Sequence, residues 1–258
     1  MRSKTIAKFI SLFMALLLAA IPAGVTAGGV PVRDGVGMDV SGFQSVTFEG
    51  EPVDGSIFAE AEMTVINIWQ RWCGPCWAEL PAFQQLYEHY SETPEADVRI
   101  WGALYYGENT ASIQEAIDFI AANGYGWPQM LMCDEFTEVA SGGEQVENLK
   151  IPQTLIIDRY GIVRAQHLGS ITEYEELAAF VEGWLRELRD EYAAERGDVD
   201  GNGTVDSIDA LLALQYALGA AELDNAQLLR GDINGDGGVD SSDALLILRF
   251  TMGLIPAR

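Results

Sequence analysis

The chain has 258 residues, with 39 Asp and Glu against 15 Lys and Arg, giving a formal net charge of −24. So acidic a surface repels polyanions, which argues against nucleic acid and anionic lipid as partners. The only cysteines are Cys73, Cys76 and Cys133, too few and too unevenly spread for a secreted disulfide framework.

The first stretch is basic and then apolar. Arg2, Lys4 and Lys8 precede or flank an apolar run from Phe9 to Ile21, and Val25-Thr26-Ala27 offers a small-x-small cleavage site. That pattern predicts a secretory signal peptide over 1–27. The apolar run is shorter than the ~20 residues a membrane span needs; an uncleaved anchor helix is the alternative. Cleavage removes three positive charges, takes the net charge from −24 to −27, and leaves no membrane span. Residues 28–42 show little pattern and are expected to be a flexible leader.

Phe43 to Phe48 alternates like a strand, and Glu49-Gly50-Glu51 reads as a turn into a short second strand. Ser56 is placed as the cap of a helical turn through Ala59. Met63 to Trp69 is β-rich and apolar almost throughout, the pattern of a strand buried on both faces in a parallel sheet. A helix follows, with Pro75 in its first turn and Leu80, Phe83, Leu86 and Tyr87 at helical spacing. Next come a strand over Val98 to Tyr106, a helix over Ser112 to Asn123 ending at Gly124, and a short strand over Met130 to Cys133. Glu138 to Leu149 is expected as loop or weak helix. Thr154 to Asp158 and Ile162 to His167 pair about the turn Arg159-Tyr160-Gly161. Thr172 opens a long helix with Leu177, Phe180, Val181, Trp184 and Leu185 on one face. Strands alternating with helices, then a hairpin and a closing helix, predict an α/β sandwich.

From Gly197 the composition shifts to an internal repeat. The segment 197–209 is echoed by 231–243, each copy leading into an apolar helix, 210–218 and 244–252. Asp198, Asp200, Asn202, Asp206 and Asp209 stand at positions one, three, five, nine and twelve of a loop, as do Asp232, Asn234, Asp236, Asp240 and Asp243. With glycine at position six and the backbone carbonyls of Thr204 and Gly238 at seven, this describes two EF-hand-type loops for Ca2+. Val205 and Val239, at position eight, are placed to pair the loops. The pattern gives neither loop an entering helix. A solvated Asp/Gly linker is the plain alternative.

A strand, then Cys-x-x-Cys, then a helix is the context in which the motif reads as redox chemistry. A cysteine at a helix start meets unpaired N–H groups and the positive end of the dipole, which favour its thiolate. Cys73 is therefore assigned the attacking role and Cys76, one turn on, the resolving role. The plain alternatives are a structural disulfide or half of a zinc site completed from Cys133, His89 and His167. Otherwise Cys133 reads as a buried apolar residue, and the two histidines as structural.

Asn67-Ile68-Trp69, Trp72-Cys73-Gly74-Pro75-Cys76-Trp77-Ala78-Glu79-Leu80-Pro81, and Ile151-Pro152 before Ile157-Asp158-Arg159-Tyr160-Gly161 together resemble thioredoxin-like proteins of the TlpA/ResA type. The resemblance implies a thioredoxin-like domain over 43–195 and a cis Pro152 facing the cysteine pair. It also implies that Glu79 assists proton movement, and that Trp72, Gly74, Pro75 and Ile151 line a groove for an extended substrate. Asn67 stands where ordinary thioredoxins carry a buried aspartate. Trp77 replaces a usually basic residue, and Lys150 is the one lysine beyond 1–27, so little cationic help to the thiolate is expected. The repeat, with aspartate at position twelve, resembles a type I dockerin over 196–258, an all-α module that binds a cohesin on a scaffoldin. That resemblance maps cohesin contacts to Ser207, Ile208, Leu214 and Gln215, then Ser241, Ser242, Leu248 and Arg249. The two copies differ there, so interchangeable binding in two orientations is not expected.

The expectation is a secreted thiol–disulfide oxidoreductase held on an extracellular, cellulosome-like scaffold. Its partners would be a cohesin, disulfide-containing proteins and a redox partner the sequence does not name. Rival readings are a thioredoxin-fold peptide-binding module with a permanently closed disulfide, and a peroxide-reducing enzyme of the peroxiredoxin type.

Overall fold

The computed structural model describes residues 35–106, 111–143 and 149–255. The predicted signal peptide and the leader up to residue 34 lie outside the described residues. No helix among them is long and apolar enough to cross a membrane.

The part of the expected leader that is described is not loose. Gly37 N–H donates to the carbonyl of Val163 at 2.7 Å, Val40 N–H to Gly161 at 2.9 Å, and Val163 N–H to Met38 at 3.0 Å. Val40 is buried. With apolar Met38 and Val40 on either side of Asp39, the alternation is too short to read as a strand, yet it pins this stretch to the sheet.

An antiparallel hairpin follows, β1 (Gln44–Val46) and β2 (Pro52–Asp54), then one helical turn, α1 (Ser56–Ala59). Ser56 is not the cap. Gly55 holds that place without a side-chain bond, and Ser56 N–H donates to Asp54 Oδ1 at 3.0 Å. A Cβ on Gly55 would lie 1.8 Å from the Ser41 carbonyl oxygen, so glycine is required there and the serine stands one position on.

Strand β3 (Met63–Trp69) is buried at every residue. Helix α2 (Gly74–Glu92), strand β4 (Val98–Leu104), helix α3 (Ala111–Asn123) and strand β5 (Gln129–Leu131) follow. Where loop or weak helix was expected after β5, α4 (Asp134–Ser141) starts earlier, with Cys133 as its N-cap and left-handed Gly142 (φ 69°) as its stop. Acidic residues at 134 and 135 suit that helix start, and Phe136, Val139 and Ala140 are its buried face. Then come β6 (Gln153–Asp158), β7 (Val163–Leu168) and the long α5 (Tyr174–Glu195).

The sheet order is β5-β4-β3-β6-β7. It is mixed: β3, β4 and β5 are parallel, while β6 runs antiparallel to both β3 and β7. Successive side chains of a strand face opposite ways, and this sets up the site. Met63, Val65 and Trp69 pack in one core with α2, α3 and α5, whereas Ile66 and Ile68 pack in the other with α1, α4 and Phe43. Asn67 therefore faces α2.

The C-terminal part contains α6 (Ser207–Ala217), α7 (Asn225–Gly231) and α8 (Ser241–Thr251) around a small core of Val199, Ala210, Ala213, Val239, Ala244 and Ile247. Helix α7 corrects the expectation that neither loop has an entering helix, because it runs directly into Asp232, its C-cap. Its sequence signal is a capping box in which Asp224 and Gln227 bond each other's backbone N–H.

Candidate functional site

Central strand β3 delivers the chain to one end of the sheet, and a turn places Cys73 as the N-cap of α2 in extended conformation. Cys76 N–H donates to Cys73 Sγ at 3.2 Å. A helix-start amide aimed at a sulfur stabilises negative charge on it. Cys73 and Cys76 are joined in a disulfide. Cys73 is half-buried and Cys76 is fully buried, so an incoming sulfur has access to Cys73.

Around this pair, Gly74 and Pro75 are exposed, and Trp72 is 61% exposed. The Ile151–Pro152 peptide bond is cis, and the Ile151 carbonyl oxygen lies 3.9 Å from Cys73 Sγ. Pro152 is buried at the start of β6, and Ile151 is half-buried. The structure thus gathers Trp72, Cys73, Gly74, Pro75, Cys76 and Ile151 at one end of the sheet.

Glu79 lies three residues after Cys76 on the same side of α2 and is completely buried. Its Oε1 accepts Asn67 Nδ2 at 2.7 Å and its Oε2 accepts Ile171 N–H at 3.1 Å. Burial pushes its carboxyl up to about 8, against the opposing pull of those two donors. A carboxyl poised there gives up or takes a proton near neutral pH. Asn67 Oδ1 and, opposite it in register on β6, Thr154 Oγ1 are buried without partners.

Arg71 was not singled out in the sequence. Its guanidinium carbon lies 5.0 Å from the ring centres of Trp72 and Trp77 and 4.8 Å from that of Phe119. Trp77 Nε1 donates to the Arg71 carbonyl at 2.9 Å. So the tryptophan in a usually basic position is part of a set of aromatic rings that holds the Arg71 guanidinium. The available signal was a lone arginine set among aromatic residues, which spacing rules ignore.

The other candidates stay apart from this site. Cys133 caps α4, and burial pushes its thiol up to about 11, which disfavours a reactive thiolate. His89 stacks edge-on against Tyr90 and His167 against Phe180.

In the repeat, carboxylate oxygens of Asp198, Asp200 and Asp209 lie within 4.8 Å of one another, as do those of Asp232, Asp236 and Asp243. Loop amides fold onto the first residue of each loop: Gly203 N–H donates to Asp198 Oδ2 at 2.7 Å, and Gly237 N–H to Asp232 Oδ2 at 2.8 Å. Asp209 and Asp243 are completely buried and accept loop amides as well. Converging hard oxygen donors with buried negative charge fit a divalent cation such as calcium. Asn202 and Asn234 bond the neighbouring carboxylates of Asp200 and Asp236. Asp206 and Asp240 stand outside the two groups and instead cap α6 and α8 through Ile208 and Ser242 N–H. Val205 lies towards Gly197 and Ile233, and among the described residues no backbone hydrogen bond joins it to Val239.

Ser207, Ile208, Leu214, Ser241, Ser242, Leu248 and Arg249 are exposed, while Gln215 is half-buried. Beside them Leu211, Leu218, Leu245 and Met252 are also exposed, at equivalent places in the two copies. The sequence reading passed over these, since helical spacing alone does not separate an outward apolar stripe from a buried one.

A family model described as AhpC/TSA family matches residues 36–166, half of the chain. The chain belongs to the AhpC/TSA family. A second model, Dockerin type I domain, matches residues 196–250, so a type I dockerin follows the AhpC/TSA part. Sporulation thiol-disulfide oxidoreductase A of Bacillus subtilis is 29% identical over 54% of this chain and 78% of its own length. Thiol-disulfide oxidoreductase ResA of Halalkalibacterium halodurans is 25% identical over 52% of this chain and 71% of its own length. The crystal structure of StoA from Bacillus subtilis is 26% identical, covers 54% of this chain and 95% of that one, and has a TM-score of 0.42. The family match and the mixed sheet β5-β4-β3-β6-β7 with its flanking helices give the AhpC/TSA part a thioredoxin-like α/β fold, and the two curated homologues are named thiol-disulfide oxidoreductases.

Proposed function

We propose that this protein is a secreted thiol–disulfide oxidoreductase, tethered through its dockerin to a cohesin-bearing extracellular scaffold. The observation that carries the redox reading is the half-buried Cys73 Sγ at the start of α2, receiving an amide N–H and bonded to a fully buried Cys76. Its relatives, named as thiol-disulfide oxidoreductases, point the same way.

In the reduced protein the Cys73 thiolate attacks one sulfur of a substrate disulfide. The substrate S–S bond breaks, its second sulfur leaves as thiolate and takes a proton, and a mixed disulfide forms. Cys76 then loses its proton and attacks Cys73 Sγ, which breaks the mixed disulfide and releases the first substrate sulfur, the one Cys73 had bonded, as a thiolate that takes a proton. Two electrons pass from the protein dithiol to the substrate, and the internal disulfide closes. Glu79, one turn after Cys76 and with its carboxyl at about 8, exchanges protons at this step. The reverse sequence oxidises a substrate dithiol. A reducing cycle needs an external dithiol to reopen Cys73–Cys76.

For the dockerin we propose two calcium ions, held by the groups centred on Asp198, Asp200 and Asp209 and on Asp232, Asp236 and Asp243. The ions would neutralise the gathered carboxylates and fix both helix starts. Cohesin would meet the exposed face of α6 and α8, including Ser207, Ile208, Leu214, Ser241, Ser242, Leu248 and Arg249. Association with a cellulosome-like scaffold follows from that partner.

Insulin reduction driven by dithiothreitol tests the redox reading. The full chain is expected to accelerate it well above the Cys73→Ser variant; equal rates would leave a peptide-binding module with a closed disulfide.

A further inference from the structure

Arg71 has an environment that its stacking alone does not explain. Its Nε and Nη1 are buried and have no hydrogen-bond partner. Among the described residues no carboxylate lies within 4.0 Å of it, although the chain carries 39 acidic residues, Arg99 and Arg189 each hold one, and Arg164 holds both Asp158 and Glu191. The guanidinium is instead held among the rings of Trp72, Trp77 and Phe119. Aromatic faces attract a cation but leave its in-plane N–H groups free. Arg71 as a whole is half-buried, and the two indoles beside it are 61% and 39% exposed. Both belong to the segment that carries Cys73.

We propose that Arg71 is a specificity-determining residue that receives a carboxylate lying next to the reacting disulfide of a protein substrate. It rests on the oxidoreductase reading. A desolvated cation with no counter-ion among the described residues gains most from an anion that arrives with the substrate. The carboxylate meets a donor already fixed by the three rings, so little side-chain order is lost on pairing. The exposed indole faces of Trp72 and Trp77 cover the apolar part of the same segment. The remainder of the surface is strongly acidic and favours basic substrates at long range, so the preference acts at contact and counter to the overall charge.

The test uses the full chain in calcium and two disulfide-bonded peptides that differ in one residue beside the cysteine, Asp in one and Lys in the other. The kcat/KM ratio of Asp to Lys peptide is measured for wild type, Arg71→Gln and Arg71→Lys, with melting curves to verify folding. The ratio is expected to fall about fivefold in Arg71→Gln, the scale of one exposed-to-half-buried ion pair. Arg71→Lys, which keeps the charge, is expected to retain most of it. An unchanged ratio in Arg71→Gln overturns the proposal. Equal losses on both peptides with a raised Cys73 thiol pKa overturn it too, because Arg71 would then act on the thiolate rather than on the substrate. If the wild type reduces neither peptide nor insulin, the oxidoreductase reading itself falls and takes this subsite with it.

Discussion

Asn67 Nδ2 donates to Glu79 Oε1 across 2.7 Å, which ties the middle of β3 to the second turn of α2 directly beneath the helix start that carries the cysteines. The free Oδ1 of Asn67 gives this bond a second form. Turning the amide over exchanges donor for acceptor. The same pair then serves a protonated carboxyl, which donates, as well as an ionised one, which accepts.

Glu79→Gln therefore fits the site without charge and has a pH signature. In the folded chain the carboxyl sits at about 8 rather than 4.5. Between those values the folded state binds the extra proton, so stability falls as pH rises and levels off above the folded value. The glutamine variant lacks this dependence. Relative to wild type it is expected to gain on the order of 4 kcal/mol between about pH 5 and about pH 9, read from urea denaturation. A difference that stays flat with pH would refute the raised carboxyl. The thiol-exchange rate is expected to drop about a hundredfold and to lose an inflection near the same pH.

Cys76→Ser stops the exchange halfway. Cys73 still attacks, but no second thiol displaces the substrate, so mixed disulfides accumulate. Covalent adducts that survive non-reducing electrophoresis and vanish on adding dithiothreitol are expected with this variant and not with Cys73→Ser. Trapping by Cys73→Ser and not by Cys76→Ser would reverse the assigned order of attack, which the burial of Cys76 opposes.

Most of the site was readable because its parts are local. The cysteines, the helix start and the carboxyl all lie within 73–79, where spacing alone fixes which groups face one another, and the two loops repeat one register. What escaped depends on tertiary contact. Arg71 matters because Phe119 arrives from α3 to close its cage. Gly55, rather than Ser56, heads α1 because Ser41 presses on it from a distant turn. Residues 35–42 join the sheet through backbone bonds, which leave no side-chain pattern. Asp206 and Asp240 occupy ligand positions in the repeat but cap helices, a choice between two uses of one carboxylate that sequence does not make.

Gly102 sits on β4 where no side chain fits. A Cβ there would lie 2.0 Å from Gln129 Oε1, the buried acceptor of Trp69 Nε1 at 2.9 Å. Gln129 Nε2 is committed in turn to the Trp127 carbonyl at 3.3 Å. Gly102→Ala should displace Gln129, leave the Trp69 indole N–H without its acceptor, and cost about 2–3 kcal/mol. A urea midpoint within error of wild type would mean that Gln129 moves freely.

Calcium removal should separate the two parts of the chain. Asp209 and Asp243 are completely buried, each close to two further carboxylates of its loop, so without a cation both loops carry unbalanced negative charge. A chelator is expected to lower helicity and melting temperature for the part containing α6, α7 and α8 while insulin reduction persists. At free calcium about a thousandfold above Kd the ion contributes about 4 kcal/mol of stability. Asp209→Ala and Asp243→Ala should each remove one site, leaving half of the calcium bound in titration calorimetry. Asp206→Ala provides the contrast. As the cap of α6 it should cost about 1 kcal/mol of stability with or without calcium, and the first site should still fill. Loss of calcium binding as complete as in Asp209→Ala would show that Asp206 leaves the helix cap to ligate the ion. Binding that stays intact in Asp209→Ala would remove that carboxylate from the ligand set.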